Sequence, residues 1–160
     1  MLVTLAAIGK MKKGPEQELA QRYQKRIQSS GKATGISALK VLEFSESRAA
    51  SAGERKRMEA RDITDRLSAT PTIIAFDERG KTPTSRQFAQ LVKKEADAGT
   101  SELALIIGGP DGLDEAFRNQ AKHVISFGAL TMPHQIVRIL VLEQVYRAVT
   151  ILTNHPYHRD

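Results

Sequence analysis

The stretch "LALIIGGPDGL" (Leu103 to Leu113) decides how this chain folds. Leu103 to Ile107 is apolar at every position, as a strand covered on both faces of a parallel sheet has to be. It stops at two glycines, a proline and an Asp-Gly pair, and a helix-like segment follows. A buried strand that ends so abruptly fits a loop cupping a ligand beyond the carboxyl ends of the strands. The pattern is neither G-x-G-x-x-G nor G-x-x-x-x-G-K-[ST], and no lysine follows the glycines, so a triphosphate is a poor candidate. A tight turn whose glycines supply positive φ explains the same residues. Both readings are open on this stretch alone.

Working outward, apolar runs recur at "LVTLAAI" (2–8), "ISALKVLEF" (36–44), "TIIAFD" (72–77) and "HVISFG" (123–128). Helical patterns lie between them. "PEQELAQRYQKRIQSS" begins with Pro15 and acids, which suit a helix N-terminus. Leu19, Tyr23 and Ile27 share one of its faces, and Arg22, Lys25 and Arg26 another. Segments 53–67 and 85–97 predict two more helices, and "GLDEAFRNQA" a short one. The charges of both signs across 48–67 predict a solvated helix face. In "DERGK", Asp77 and Glu78 either cap a turn or touch a ligand, and the turn is the simpler reading. Alternation of strand and helix with short connections predicts an α/β fold, a mostly parallel sheet with helices on both faces. Neither repeat nor linker interrupts 1–160, which reads as one domain.

The last helical pattern, "PHQIVRILVLEQVYRAVTILT", is apolar around most of its circumference. Such a helix is buried on more than one side. The sheet covers one side, and a second copy of the chain is the simplest cover for the other.

Composition narrows the class. The chain has no cysteine, so disulfides and thiolate metal sites are excluded. Its apolar runs fall short of the roughly 20 residues of a membrane span, and the opening "MLVTLAAIG" does not read as a signal peptide. The expectation is a cytoplasmic protein without membrane contact. The formal charge is +6, and residues 1–40 carry all of it, with eight lysines and arginines against two glutamates. Lys10, Lys12, Lys13, Arg22, Lys25 and Arg26 form either a polyanion-binding surface or a plain solvated face.

The loop after the fifth run, "SFGALTMPH" (126–134), is again small and polar before Pro133 opens the long helix. Two neighbouring strand ends of this kind bring backbone amides and carbonyls to one flat ligand, and an adenine ring fits such a cleft.

"LIIGGPDGL", "SFGALTMPHQIVRILVLEQVYRA" and the closing "NHPYHRD" together resemble the SPOUT superfamily of knotted methyltransferases. The chain is most similar there to the RlmH family, bacterial enzymes that methylate N3 of a pseudouridine in large-subunit (23S) ribosomal RNA. The likeness runs the whole length and includes "AIGKMKKG". It implies a C-terminal trefoil knot, a homodimer, S-adenosylmethionine as cofactor, and ribosomal RNA or the assembled ribosome as partner. By motif, the cofactor contacts would be Phe76, Gly108, Gly109, Phe127, Gly128, Ala129, Leu130, Thr131 and Met132. The competing reading is a non-catalytic RNA-binding or ribosome-associated module with a vestigial pocket. The intact small-residue loops favour the enzyme, and the missing fingerprint disfavours an oxidoreductase.

Methylating a ring nitrogen requires an in-line approach to the methyl group and loss of the N3 proton. His134 stands beside the cofactor loop as a base, or as a capping and packing residue. Arg138 is a lone charge in an apolar stretch and needs a carboxylate, a phosphate or an open site. His155, Tyr157, His158 and Arg159 crowd the tail. Tyr157 and His158 join His134 and Arg138 as candidates for the chemistry, and Arg159 joins the RNA-binding set. Two histidines without a third ligand make no metal site, so none is expected.

Overall fold

The computed structural model describes residues 1–159. A five-stranded, all-parallel sheet forms its centre, in the order β2-β1-β4-β3-β5. The strands are β1 (Leu2–Ile8), β2 (Ala38–Phe44), β3 (Thr72–Lys81), β4 (Glu102–Ile107) and β5 (His123–Ile125). The helices are α1 (Pro15–Ser30), α2 (Ala52–Thr64), α3 (Ser85–Asp97), α4 (Glu115–Gln120) and α5 (His134–Leu152). β4 lies at the middle of the sheet and is buried at every position, which accounts for its unbroken apolar run.

Alternate strand residues feed two cores. Leu5, Ile74, Phe76 and Leu105 face a layer made by α1, α3 and α5. Ala6, Ala75 and Ile106 face a smaller layer with Ile63 of α2 and Phe117 of α4. The local chemistry sets the helix starts. Ser51 with Glu54, and Thr84 with Gln87, form capping boxes on α2 and α3. Asp114 caps α4 through the Phe117 N–H, and Pro15 opens α1.

Three expectations need correction. Residues 48–67 are not simply a solvated face, because Glu59 and Ile63 of α2 are buried. "DERGK" does not end its strand, since β3 continues to Lys81 and pairs with Ile125 after a register shift. Gly80 explains why this is sterically feasible: a Cβ there would lie 2.5 Å from the Ile125 carbonyl carbon. A turn-like element survives within the strand, where the Arg79 N–H donates to Asp77 Oδ1. Finally, α5 is covered largely from within the chain, by the sheet and by α1 and α3, so its apolar girth does not itself demand a partner.

Candidate active site

The C-terminal ends of β3, β4 and β5 open into a cavity of about 280 Å³. Phe76 to Arg79 form one wall and Gly108 to Leu113 a second. Ser126 to Gly128 with Leu130 to Met132 form a third, and His134 and Val137 close it from α5. The cofactor residues expected from the motifs thus converge here, except Ala129, which does not line the cavity. Of the candidates for the chemistry, His134 lines it; Arg138, Tyr157 and His158 do not.

Each wall has a local cause. A Cβ on Gly108 would sit 3.0 Å from the Gly112 carbonyl carbon and from the Leu113 side chain. One on Gly109 would sit 3.0 Å from Glu59 Oε2 and Ile8 Cγ2. The glycines therefore let the turn fold back on itself, and leave its backbone bare toward the cavity. Gly128 has φ +121°, and the Ser126 hydroxyl holds it by donating to its carbonyl and accepting from its N–H, both at 3.0 Å. Phe76 and Phe127 stack with centroids 5.4 Å apart, which makes a flat apolar wall.

The charges in the cavity are mixed. Asp77 pairs with Arg118 at 3.6 Å, both nearly buried, while Lys56, Glu78 and Arg79 lie at the mouth. Arg55 grips both oxygens of Asp111, at 2.7 and 3.1 Å, and holds that carboxyl below its ordinary range. Beneath the glycine turn, burial pushes the Glu59 carboxyl above its ordinary value, against the hydrogen bond from the Ser47 N–H. A backbone-lined cleft with a stacked aromatic wall and both signs of charge suits a nucleoside carrying a zwitterionic group. Its cations Lys56, Arg79 and Arg118 stand among Asp77, Glu78 and Asp111, so no unopposed positive cradle faces a triphosphate. S-adenosylmethionine has the former chemistry.

The tail is a separate construction. Tyr157 donates to Glu143 Oε1 at 3.0 Å, meets the Tyr23 hydroxyl at 3.3 Å and sits edge-on to Tyr146. Burial first, then these partners, raises its phenol pKa. Arg147 bonds Glu143, covers the Tyr157 ring and reaches His158 Nδ1 at 3.2 Å. His155 is exposed, and no group of three potential metal ligands occurs among the described residues. Arg147 lies thirteen positions beyond His134 along α5, about 20 Å of rise. Within one chain, then, the tail does not reach the cavity.

Lys10, Lys12, Lys13, Arg22, Lys25, Arg26 and Arg159 are all exposed. Arg26 is additionally spent on the tail cluster, with its guanidinium over the rings of Tyr23 and Tyr146. Arg138 is 2% exposed and turned to partners inside the protein, the Glu43 carboxylate and the Gly9 carbonyl, which engage its two Nη groups. Sequence reading left out Lys56, Arg118, Glu59 and Gly80. The only signal any of them offered was the glycine in "DERGK".

The chain that carries this strand-end site belongs to the SPOUT class of methyltransferases: the family model described as "Predicted SPOUT methyltransferase" matches residues 1–158. Such enzymes use S-adenosylmethionine. Curated relatives are named ribosomal RNA large subunit methyltransferase H. That of Allorhizobium ampelinum is 46% identical over 160 residues, covering 100% of both chains. That of Agrobacterium fabrum is 47% identical over 159 residues, covering 99% of each. Among solved structures, the SpoU methyltransferase AviRb from Streptomyces viridochromogenes, in complex with AdoMet, matches at a TM-score of 0.39 and 15% identity. The match covers 92% of this chain and 57% of that one, a likeness too distant to inform the site.

Proposed function

We propose that this protein methylates N3 of a pseudouridine in large-subunit ribosomal RNA, on the assembled ribosome in the cytoplasm. The observation that carries this reading is the convergence of two small-residue loops and the Phe76–Arg79 stretch of β3 on one cavity, in a chain whose relatives are named ribosomal RNA large subunit methyltransferase H along their full length. Among the described residues no helix is long and apolar enough to cross a membrane.

Phe76, Gly108, Gly109 and the loop 127–132 would hold the cofactor, whose sulfonium supplies an electrophilic methyl group. The stacked Phe76 and Phe127 rings give a heterocycle an apolar face, and the bare glycine backbone supplies its donors and acceptors. What the protein contributes is mainly orientation of nitrogen, methyl and sulfur in line. His134 is the histidine at the cavity and accepts the N3 proton.

Tyr157, His158 and Arg159 act on the cavity of a second copy, because about 20 Å of helix separates them from their own. A homodimer joined over the uncovered strip of α5, where Ile136 is 38% exposed, and over Leu130, at 84%, brings them there. The trefoil knot belongs to the same proposal. Its support is the close approach of Gly80 to Ile125, followed by return of the chain from edge strand β5 to α5, which packs on α1 and α3.

Calorimetry with S-adenosylmethionine, followed by transfer of labelled methyl to ribosomes and to free 23S RNA, tests the reading. Binding with transfer to ribosomes is expected. RNA binding without cofactor binding would establish the vestigial module instead. Light scattering is expected to give twice the 17.6 kDa chain mass.

A further inference from the structure

Arg138 is buried at the first turns of α5, one turn beyond His134 of the cavity. Its guanidinium reaches two different strand ends. Nη1 donates to Glu43 on β2, and Nη2 donates to the carbonyl of Gly9, just after β1, at 2.8 Å. The same Glu43 oxygen accepts the Met11 N–H at 2.8 Å. Gly9 has φ +90°, and its own N–H donates to the Phe44 carbonyl at 2.7 Å. The root of the segment holding Lys10, Lys12 and Lys13 is therefore tied to α5 through one side chain.

The guanidinium is incompletely satisfied at this position. Burial lowers the Arg138 pKa, and its Nε is the buried side-chain N or O atom without a partner among the described residues. An apolar pair of similar volume often matches or exceeds a buried ion pair in stability and leaves no orphan N–H. What aliphatic side chains lack is a rigid planar fork that fixes two acceptors at a set spacing. Here the fork engages Glu43 and the Gly9 carbonyl together.

We infer that Arg138, Glu43 and the Gly9–Met11 backbone form a tether holding the Lys10–Lys13 segment in register with the cofactor cavity. Arg138 is then a positioning residue for RNA. It meets no substrate. This rests on the reading of the protein as a ribosomal RNA methyltransferase.

Two variants test it. Arg138→Lys keeps the charge and loses the fork. The double variant Glu43→Leu/Arg138→Met replaces the tether with apolar packing and strands no charge. Thermal unfolding, calorimetric S-adenosylmethionine affinity, and methyl transfer to ribosomes at several salt concentrations are measured on each. We expect KM for the ribosome to rise about tenfold in both, kcat and cofactor affinity to stay within about twofold, and the salt dependence to flatten. The double variant should unfold no earlier than the wild type while still losing RNA affinity, a pattern a merely structural role does not produce. A fall in kcat at unchanged KM would make Arg138 a group of the reaction and overturn the tether; so would unchanged KM in the folded double variant. If the wild type transfers no methyl group, the functional reading fails by itself. The salt slope of RNA binding in wild type and double variant then still decides the tether, and equal slopes overturn it.

Discussion

The cavity and the tail are built in opposite ways within one chain. At the ends of β3, β4 and β5 the chain withdraws its side chains: Gly108, Gly109 and Gly128 leave backbone bare, and Phe76 and Phe127 supply one flat wall. At the far half of α5 it does the reverse. Glu143, Arg147, Tyr157 and Tyr23 satisfy one another, and Arg26 caps the aromatic rings. A backbone site tolerates no added atom, because its geometry is the close approach itself. A side-chain network tolerates partial loss, because each member has several partners. Damage to the first should remove cofactor binding; damage to the second should remove transfer and leave the cofactor bound.

The largest effect is expected at the glycine turn. Gly108→Val places branched carbons where even a Cβ is 3.0 Å from Gly112 and Leu113, so the turn must open. Cofactor affinity should fall by about 100-fold or more, the cost of one overpacked site. Affinity retained in calorimetry would mean the backbone of this turn does not touch the ligand, and the contrast would collapse.

Truncation after Asn154 removes Tyr157, His158 and Arg159. We expect transfer to drop by about 100-fold, the scale of one lost acid–base or positioning group, with cofactor affinity unchanged in the same calorimetry. Equal loss of both would merge the two regions into one site.

A smaller effect sharpens the RNA side. Reversing Lys12, Lys13 and Arg22, and sparing Arg26 because it stacks on Tyr23 and Tyr146, should weaken RNA binding and flatten its salt dependence. Each lost contact to a single strand should remove about 0.7 from the slope of log affinity against log salt. The tail truncation should remove less, since Arg159 is the one lysine or arginine in the removed segment.

The mildest test lies beneath the turn. Burial raises the Glu59 carboxyl above its ordinary 4.5. A raised carboxyl binds its proton more tightly in the folded state. Its contribution to stability is full below the unfolded pKa and declines as pH rises through the folded value. Glu59→Gln keeps an acceptor for the Ser47 N–H and removes the charge. It should unfold a few degrees later than wild type at pH 7 and equally at pH 4, as a stability change of about 1 kcal/mol gives. A variant that melts earlier at pH 7 would show that the ionised carboxylate itself supports the turn.

Much of this was legible in the residues. The unbroken apolar run of β4 marks a strand buried on both faces, because alternation survives only where one face is wet. Pro15 and Pro133 sit at the openings of α1 and α5, where a missing N–H costs nothing. The small residues of "GGPDG" and "SFGALT" point to backbone approach, since glycine tolerates contacts and angles that other residues do not. These signals are local, so the sequence by itself determined the alternating elements, the central strand and the two small-residue loops. Only the tertiary structure decided what lies across from what. It showed that Arg138 finds Glu43 and Gly9 rather than the cavity, that Glu59 lies under Gly109, and that Gly80 is where β3 and β5 crowd together. It also showed that α5 is covered by α1 and α3 of its own chain. Each of these joins residues distant in sequence, and neither periodicity nor composition carries the identity of a partner brought near by a crossover. Burial and pairing are properties of the assembled sheet, and a lone charge such as Arg138 has no assigned acceptor until the strands beside it are in place.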